Sequence, residues 1–300
     1  MPYADAGGIR IYYEVTGRGT PIIFLHEFAG DHRSWREQVR ALSRNFTCIT
    51  MAARGYPPSD VPDNDTAYGQ EIANRDVIAV LDAVGVEKAH VVGLSMGAYT
   101  ALQLAIYFPN RLLSAVAAGA GTGSERATRD QFLRDAAASA DVMEKATRID
   151  AEQICVSAVR VQLQNKDELG WRMMVEHLAS HPPKGSAKVL RNVQGKRPSL
   201  YDLEAELAAV KVPVLLIVGD EDEPCLDVNL FMKRIMPTSQ LAMLPGCGHP
   251  INHEEPALFS WLVERFLTSV DRGTWQPRDP RAAPELSTAF AAALAGKVDR

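Results

Sequence analysis

One five-residue stretch constrains the fold of this chain more than any other, and it reads Gly93-Leu94-Ser95-Met96-Gly97. The short, mostly apolar run His90-Val91-Val92 comes just before it and is typical of a buried strand. Good helix formers follow from Ala98 to Phe108, and Pro109 ends the run. The stretch therefore predicts a tight turn from a strand into a helix, in which both glycines let neighbouring backbone pass close by. The serine would then be strained, with its hydroxyl exposed above the edge of a sheet.

Length and composition place the chain among ordinary globular proteins. Of its 300 residues, 46% are hydrophobic and 23% are charged, which suits one large α/β domain or a core with an inserted subdomain. The net charge of −5 argues against a nucleic acid or an anionic membrane as partner. No apolar stretch approaches the roughly 20 residues that span a bilayer.

The first residues and the cysteines bear on the compartment. The N-terminal residues show neither the charged segment nor the apolar segment of a secretory signal, so we expect a cytoplasmic protein. None of the four cysteines has the spacing of a zinc site, and we expect reduced thiols; they are Cys48, Cys155, Cys225 and Cys247.

The first 119 residues alternate between strand and helix patterns. Residues 9–15 alternate in polarity, and Gly17-Arg18-Gly19 leads into the apolar run 21–26, which together predict an antiparallel hairpin. Helices are expected over 34–43 and 71–84, the second capped by Gly85, with strands over 46–51 and 112–117. This alternation predicts an α/β fold with a mostly parallel, doubly wound sheet.

The alternation stops in the middle of the chain. From residue 124 to about 209 no strand is evident, and helices are expected over 131–147, 151–164, 168–179 and 200–209. The pattern then resumes with strands over 213–219 and 241–244 and a helix over 256–270. We therefore predict a core of residues 1–119 and 210–270 and a helical cap of residues 120–209, called the helical insertion below. A cap would cover the sheet edge where such folds bind ligands, and a separate helical domain is the alternative. Residues 271–300 would form a tail with an Ala-rich helix near 285–295.

A serine hydroxyl is a weak nucleophile until a base removes its proton, and that base needs a third group to orient it. Asp222 lies about three residues past a predicted strand, where the loop can turn toward Ser95, and Asp220 and Glu223 are the alternatives. His249 follows the last predicted strand on a loop rich in small residues. These three side chains, Ser95, Asp222 and His249, are therefore the candidate catalytic residues.

Acyl transfer also needs hydrogen-bond donors for the oxyanion. The backbone N–H of Met96, the residue after the serine, is the first candidate. The second is the N–H of Phe28, in the loop that follows the strand 21–26. We expect His26 to brace this loop, and His253 to flank the helix that follows it.

Together these motifs resemble the α/β-hydrolase superfamily, in particular small bacterial serine esterases, cofactor-free perhydrolases and meta-cleavage product hydrolases. The resemblance extends over about residues 9–270 and is carried by five pieces: His26-Glu27-Phe28-Ala29-Gly30, Arg54-Gly55-Tyr56, Gly93 to Gly97, Gly219-Asp220-Glu221-Asp222 and Gly248-His249. It implies the α/β-hydrolase fold and the chain order of nucleophile, acid and histidine. A serine nucleophile argues against the haloalkane dehalogenases and epoxide hydrolases of similar fold, which use Asp.

The chain departs from the family pattern at two places. Glu27 stands where the family usually has glycine, and Met51-Ala52-Ala53-Arg54 lacks the Asp that commonly precedes the arginine by two residues. Glu27 would place a carboxylate near the oxyanion donors, where it either points away or tunes the pocket.

The sequence thus predicts a serine hydrolase that cleaves small carboxylic esters or lactones through an acyl-enzyme. Hydrolytic C–C cleavage and perhydrolysis with the same triad are alternatives, and a ligand receptor without turnover is the non-enzymatic one. No metal or organic cofactor is implied, because a side chain or backbone group is assigned to each role. The expected partner is a small-molecule ester or acyl substrate, with no nucleic acid and no membrane, and a homodimer is left open.

Two further sets of residues have competing interpretations. Apolar side chains of the helical insertion could line an acyl pocket or form the insertion's own core; they are Phe132, Leu133, Trp171, Met173, Met174 and Leu178. Cys225 and Cys247 lie near the acid and the histidine, either as targets of thiol reagents or as incidental small residues.

Overall fold

The computed structural model describes residues 2–282, and these build one eight-stranded sheet with helices on both faces. The strand order is β1-β2-β4-β3-β5-β6-β7-β8, with β1, β2 and β4 joined antiparallel and all later pairs parallel. The strands are β1 (Tyr3–Asp5), β2 (Arg10–Gly17), β3 (Thr20–Leu25), β4 (Phe46–Met51), β5 (Ala89–Leu94), β6 (Leu112–Ala118), β7 (Val214–Gly219) and β8 (Ser239–Leu244). The prediction of a mostly parallel α/β sheet is confirmed.

Twelve α-helices accompany the strands in the described part of the chain. Those outside the helical insertion are α1 (Arg36–Leu42), α2 (Gln70–Val84), α3 (Met96–Tyr107), α10 (Glu223–Ile235), α11 (Ile251–Glu254) and α12 (Pro256–Asp271). Those of the helical insertion are α4 (Arg129–Lys145), α5 (Ala151–Cys155), α6 (Val161–Lys166), α7 (Glu168–Ala179), α8 (Pro183–Val189) and α9 (Glu204–Ala209). Across residues 2–282 none of these helices combines the length and the apolar composition that crossing a membrane requires.

Alternate residues of β3 pack into two different hydrophobic cores, one on each face of the sheet. Ile23 packs with α2 and α3 on one face of the sheet, whereas Ile22 and Phe24 pack with α1 and α12 on the other. The central strands are therefore buried on both faces, which explains why their sequences are continuous apolar runs.

The predicted hairpin between the first two strand patterns is wrong. β2 pairs with β4, with Tyr13 opposite Met51, and β3 lies between β4 and β5 as a parallel strand. Between β2 and β3 the chain passes close to the segment that leads into β4, and the glycines permit this approach rather than a hairpin turn. A Cβ on Gly17 would stand 2.4 Å from the Ser43 carbonyl oxygen in that segment. Because β3 is apolar on both faces, it is stable only in the interior of the sheet, with a neighbouring strand on each side. Burial of β3 therefore decides its pairing, and the local turn signal does not.

The helical insertion differs from its prediction in detail. The single helix expected over 151–164 is two short helices, α5 and α6, because the turn between them is drawn onto the core by contacts of Val159 and Arg160. The helix expected over 200–209 begins as a 3-10 turn before α9, and α8 with the π-helical turn after it was not predicted. The Ala-rich helix predicted near 285–295 lies outside the described residues.

Candidate active site

The turn between β5 and α3 has the predicted strained geometry. Ser95 has a φ of 52° and is the one non-glycine residue with positive φ in the described chain. A Cβ on Gly93 would stand 2.2 Å from the Gly97 carbonyl oxygen, and one on Gly97 would stand 2.0 Å from the Leu25 carbonyl oxygen. Real Cβ atoms do not come this close, so only glycine fits at both positions.

The end of β6 brings the serine and the other two candidates to the same place. The Ser95 N–H donates to the Ala118 carbonyl oxygen at 2.8 Å. The next residue, Gly119, lies against the acid and the base, since a Cβ there would be 3.4 Å from both Asp222 Oδ2 and the His249 ring. Asp222 Oδ2 accepts a hydrogen bond from His249 Nδ1 at 2.7 Å. The Ser95 backbone and the Asp222–His249 pair therefore lie together at the carboxyl end of β6, at one edge of the sheet.

The loops that carry the acid and the histidine are locked together by backbone. The Glu221 N–H donates to the Cys247 carbonyl oxygen at 2.9 Å, and a Cβ on Gly219 would stand 2.2 Å from the same oxygen. Asp220, one of the alternative acids, instead accepts the Cys247 N–H at 3.1 Å. The other, Glu223, begins α10 at the surface. Of the three acids considered, Asp222 is the one that bonds the histidine.

Burial and charge act in opposite directions on His249. Both members of the pair are buried, and burial alone would lower the pKa of the imidazole, but the adjacent Asp222 carboxylate raises the pKa of His249 well above its usual value. A carboxylate in this position also fixes which ring nitrogen carries the proton. No hydrogen bond joins the Ser95 hydroxyl to His249 within residues 2–282, and in unliganded enzymes such contacts are often long and tighten with substrate.

The two backbone donors predicted for an oxyanion are free in the structure. Within residues 2–282, neither the Phe28 N–H nor the Met96 N–H donates to a protein acceptor. The loop before Phe28 is braced by His26, whose Nε2 accepts the Ala53 N–H at 2.9 Å and whose Nδ1 lies 2.7 Å from the Glu27 carbonyl oxygen. Burial lowers the pKa of His26 to about 4, so this ring is neutral and stabilises the loop through its two hydrogen bonds.

A family model described as "alpha/beta hydrolase fold" matches residues 20–256 of the chain. The chain belongs to this family. The family assignment supports a hydrolytic enzyme, and it agrees with the strand order and with the serine-bearing turn described above.

Individual proteins of known name or structure are similar to this hydrolase over most of their length. One is the 3-oxoadipate enol-lactonase 1 of Acinetobacter baylyi, 27% identical, with 83% of this chain and 89% of the relative covered. Another is a 2-hydroxy-6-oxononadienedioate/2-hydroxy-6-oxononatrienedioate hydrolase of Burkholderia vietnamiensis, 25% identical, with 88% and 92% covered. The solved structure of a thermophilic esterase from Thermogutta terrifontis superimposes with a TM-score of 0.79 at 24% identity, covering 90% and 98%.

Glu27, the departure from the family pattern, is buried and paired. Its carboxylate receives two hydrogen bonds from the Arg160 guanidinium of the helical insertion, one of them at 3.0 Å. Burial would raise the pKa of Glu27, but the arginine overcomes this and lowers that pKa to about 2. Sequence reasoning did not identify Arg160, because nothing near it marks a partner 133 residues away.

A small apolar cavity of about 50 Å³ lies beside the serine-bearing turn. It is lined by Met96 and Gly97 of the turn and by Val189 and Val193 of the helical insertion, among others. Two of the insertion residues considered for an acyl pocket, Met174 and Leu178, instead pack with Trp171 in the insertion's own core.

Cys225 adds a third ligand-type atom next to the acid and the base. Its sulfur, an Asp222 oxygen and a His249 nitrogen lie within 4.8 Å of one another, all buried, and Asp222 Oδ1 has no hydrogen-bond partner. Such a set could hold a soft divalent cation. Burial raises the pKa of both Cys225 and Cys247, which keeps these thiols in their unreactive protonated form.

Proposed function

We propose that this protein is a serine hydrolase that cleaves small carboxylic esters or lactones through an acyl-enzyme. Ser95 is the nucleophile, His249 is the general base that takes its proton and returns it to the leaving group, and Asp222 orients the imidazole. The N–H groups of Phe28 and Met96 stabilise the oxyanion.

The observation that carries this proposal is the convergence of a strained serine and a buried acid–base pair on two consecutive residues, the last residue of β6 and the glycine that follows it. Ser95 bonds Ala118, and the Asp222–His249 pair packs on Gly119. A strained, sparsely populated backbone conformation persists only where the surrounding structure enforces it, and such sites cluster where chemistry occurs. The buried position of the pair adds an electrostatic reason, because charge that develops on the imidazole is stabilised by a carboxylate shielded from water.

The name of the Acinetobacter baylyi relative favours a lactone or ester over other acyl compounds. Hydrolytic C–C cleavage is the second candidate, since the Burkholderia vietnamiensis relative is named as a hydrolase of a dienedioate. Both reactions would place the same serine next to the same oxyanion donors. A panel of p-nitrophenyl esters, an enol-lactone and a vinylogous diketone therefore separates the substrates.

The triad is tested with Ser95→Ala and the substrate panel. We expect kcat on the preferred ester to fall by at least about 10⁴-fold, because the nucleophile and its activated proton are lost together. A fluorophosphonate should label the wild-type peptide that contains Ser95 and leave the variant unlabelled, which mass spectrometry shows directly.

Ser260→Ala is the matched control, since within residues 2–282 the Ser260 hydroxyl donates only to the Pro256 carbonyl oxygen of its own helix, α12. This variant should turn over substrate at the wild-type rate. Undiminished turnover by Ser95→Ala would contradict the proposed mechanism. A wild type that binds esters without cleaving any of them would favour the receptor alternative.

A further inference from the structure

Two residues of the helical insertion touch both of the loops that the proposed reaction uses. Arg160 forms a bidentate pair with Glu27, next to the oxyanion donor Phe28. Its neighbour Val159 accepts the His249 N–H at 2.6 Å through its carbonyl oxygen. A Cβ on Gly248 would stand 2.3 Å from that same oxygen, so the contact is as close as backbone allows. The turn between α5 and α6 therefore holds the oxyanion loop and the base loop at once.

The pair with Arg160 fixes the peptide that carries the oxyanion donor. The Glu27 carbonyl oxygen faces His26 Nδ1 at 2.7 Å and accepts the Gly30 N–H at 3.2 Å. The plane that contains this carbonyl also contains the Phe28 N–H, because the peptide unit is rigid. With the side chain held by Arg160 and the carbonyl held by His26 and Gly30, the direction of the Phe28 N–H is set from both ends of Glu27.

Arg160 also neutralises a charge that would oppose the reaction. The Glu27 carboxylate is 1% exposed and the Arg160 side chain 10% exposed, so water does little to screen either one. An unpaired carboxylate so close to Phe28 would repel the negative oxygen of the tetrahedral intermediate. Paired in two hydrogen bonds, the two charges cancel locally, and the oxyanion meets only the positive ends of the N–H dipoles.

We propose that Arg160 is a positioning residue of this hydrolase: through Glu27 it orients the Phe28 N–H and keeps the oxyanion site free of net negative charge. The proposal rests on the proposed function, and it gives the residue that departs from the family pattern a catalytic purpose. The helical insertion then contributes to kcat as well as to substrate choice.

The test compares three variants with wild type on the preferred ester. Arg160→Met should lower kcat by about 10²-fold, the usual loss for one misplaced oxyanion donor, and should leave KM close to the wild-type value. Arg160→Lys keeps the charge without the bidentate geometry and should lie between the two. The double variant Glu27→Gln/Arg160→Met removes both charges and should recover the part of the kcat that the unpaired Glu27 charge costs. The part that is lost because the Phe28 N–H is no longer oriented should remain, so that the two substitutions are non-additive.

A pH profile adds a readout that a purely structural role would not give. In Arg160→Met, Glu27 stays buried and loses the arginine, while the His249 and His253 rings still face it, so the pKa of that carboxyl rises. The ratio of variant to wild-type kcat should therefore increase as pH falls and Glu27 becomes neutral. The double variant has no carboxyl at this position, and its ratio should not depend on pH.

Lys188→Met is the matched control. Lys188 also joins the insertion to the core, through Asp65 at 2.7 Å, and its side chain is 9% exposed. Among the described residues, its ammonium forms no hydrogen bond with the oxyanion loop or with the base loop. We expect its kcat to equal that of wild type. A folded Arg160→Met with unchanged kcat and only a lower melting temperature would overturn the proposal, and if this variant does not fold, Arg160→Lys gives the same measurement. Undiminished activity in Ser95→Ala would instead contradict the proposed function and overturn the Arg160 proposal with it. Activity that is lost in Ser95→Ala but unchanged in Arg160→Met would overturn the Arg160 proposal alone.

Discussion

The core and the helical insertion of this protein are held in different ways. In the core, the site is defined by backbone: strands buried on both faces, glycines in contact with carbonyl oxygens, and loops joined by N–H to carbonyl bonds. The insertion combines one long helix, α4, with several short ones, and two small apolar clusters form among its helices and against residues 28–29 of the core. Side chains carry much of its contact with the core, such as Arg160 on Glu27, Lys188 on Asp65 and Gln162 on Glu221.

This difference separates two tasks. A backbone-defined site tolerates almost no change, which suits the groups that must meet a reacting carbon within a fraction of an ångström. The helical insertion, whose contacts with the core are made largely by side chains, can change residue by residue without disturbing the sheet. Arg160 joins the two parts of the molecule. This side chain of the helical insertion binds Glu27, and the peptide after Glu27 carries the Phe28 N–H of the core.

The largest expected effect comes from breaking the backbone-defined part. Gly97→Ala places a Cβ 2.0 Å from the Leu25 carbonyl oxygen, and neither backbone can move without opening the contact between α3 and β3. We expect a loss of more than about 4 kcal/mol in the free energy of unfolding, or no folded protein. Urea denaturation followed by circular dichroism measures this loss.

Gly69→Ala is the control for that variant. A Cβ on Gly69 would have no neighbour closer than 3.9 Å, and its φ is in the extended range. Gly69 is the half-buried N-cap of α2, where alanine caps less well than glycine, so the loss should be about 1 kcal/mol or less. Similar losses for both glycines would mean that the serine-bearing turn is less constrained than its geometry indicates.

The backbone-defined part is also the part that could be predicted from the sequence. The glycines around Ser95 report a close approach that no other residue permits, and Asp222 and His249 follow apolar strands whose ends must meet at one sheet edge. The positions of these residues relative to the predicted strands are therefore enough to identify them as candidate site residues. The hairpin between β2 and β3 was predicted wrongly, because a local turn signal says nothing about which strand becomes the neighbour.

The side-chain-defined part was not predictable in the same way. Arg160 looked like one more polar residue of a helix over 151–164, and the chain breaks there because its partner lies far away in sequence. The oddity of Glu27 could be seen from the sequence, but its partner could not. A buried carboxylate implies some cation nearby, and the chain offers 32 lysines and arginines from which to choose.

A smaller loss of stability is expected when a buried side chain in the apolar core of the helical insertion is truncated. Leu178 is fully buried among Cys155, Leu163 and Met174, so Leu178→Ala should cost about 2–5 kcal/mol of the free energy of unfolding. Leu169→Ala is the control, since Leu169 is 70% exposed and should change stability little. Hydrogen–deuterium exchange of the insertion peptides reports the insertion, because Trp35, Trp261 and Trp275 outside it would mask the fluorescence of Trp171. Far-ultraviolet circular dichroism reports the whole chain. If the two probes separate in Leu178→Ala, the insertion unfolds before the sheet. Coincident transitions would show that the side-chain contacts couple the regions fully.

The smallest expected effect is a difference in the rate at which two buried thiols, one in the insertion and one in the core, react in the folded protein. Burial raises the pKa of Cys155 in the insertion to about 11 and that of Cys48 in the core to about 12, so both react only when the structure opens locally. We expect iodoacetamide to label Cys155 before Cys48, as followed by peptide mass spectrometry, because the insertion has the smaller apolar core. Cys225 and Cys247 are also buried and should stay unlabelled while the enzyme keeps its activity. Equal labelling of Cys155 and Cys48 would mean that the insertion opens only when the sheet does, and that the side-chain contacts hold it as firmly as the backbone holds the core.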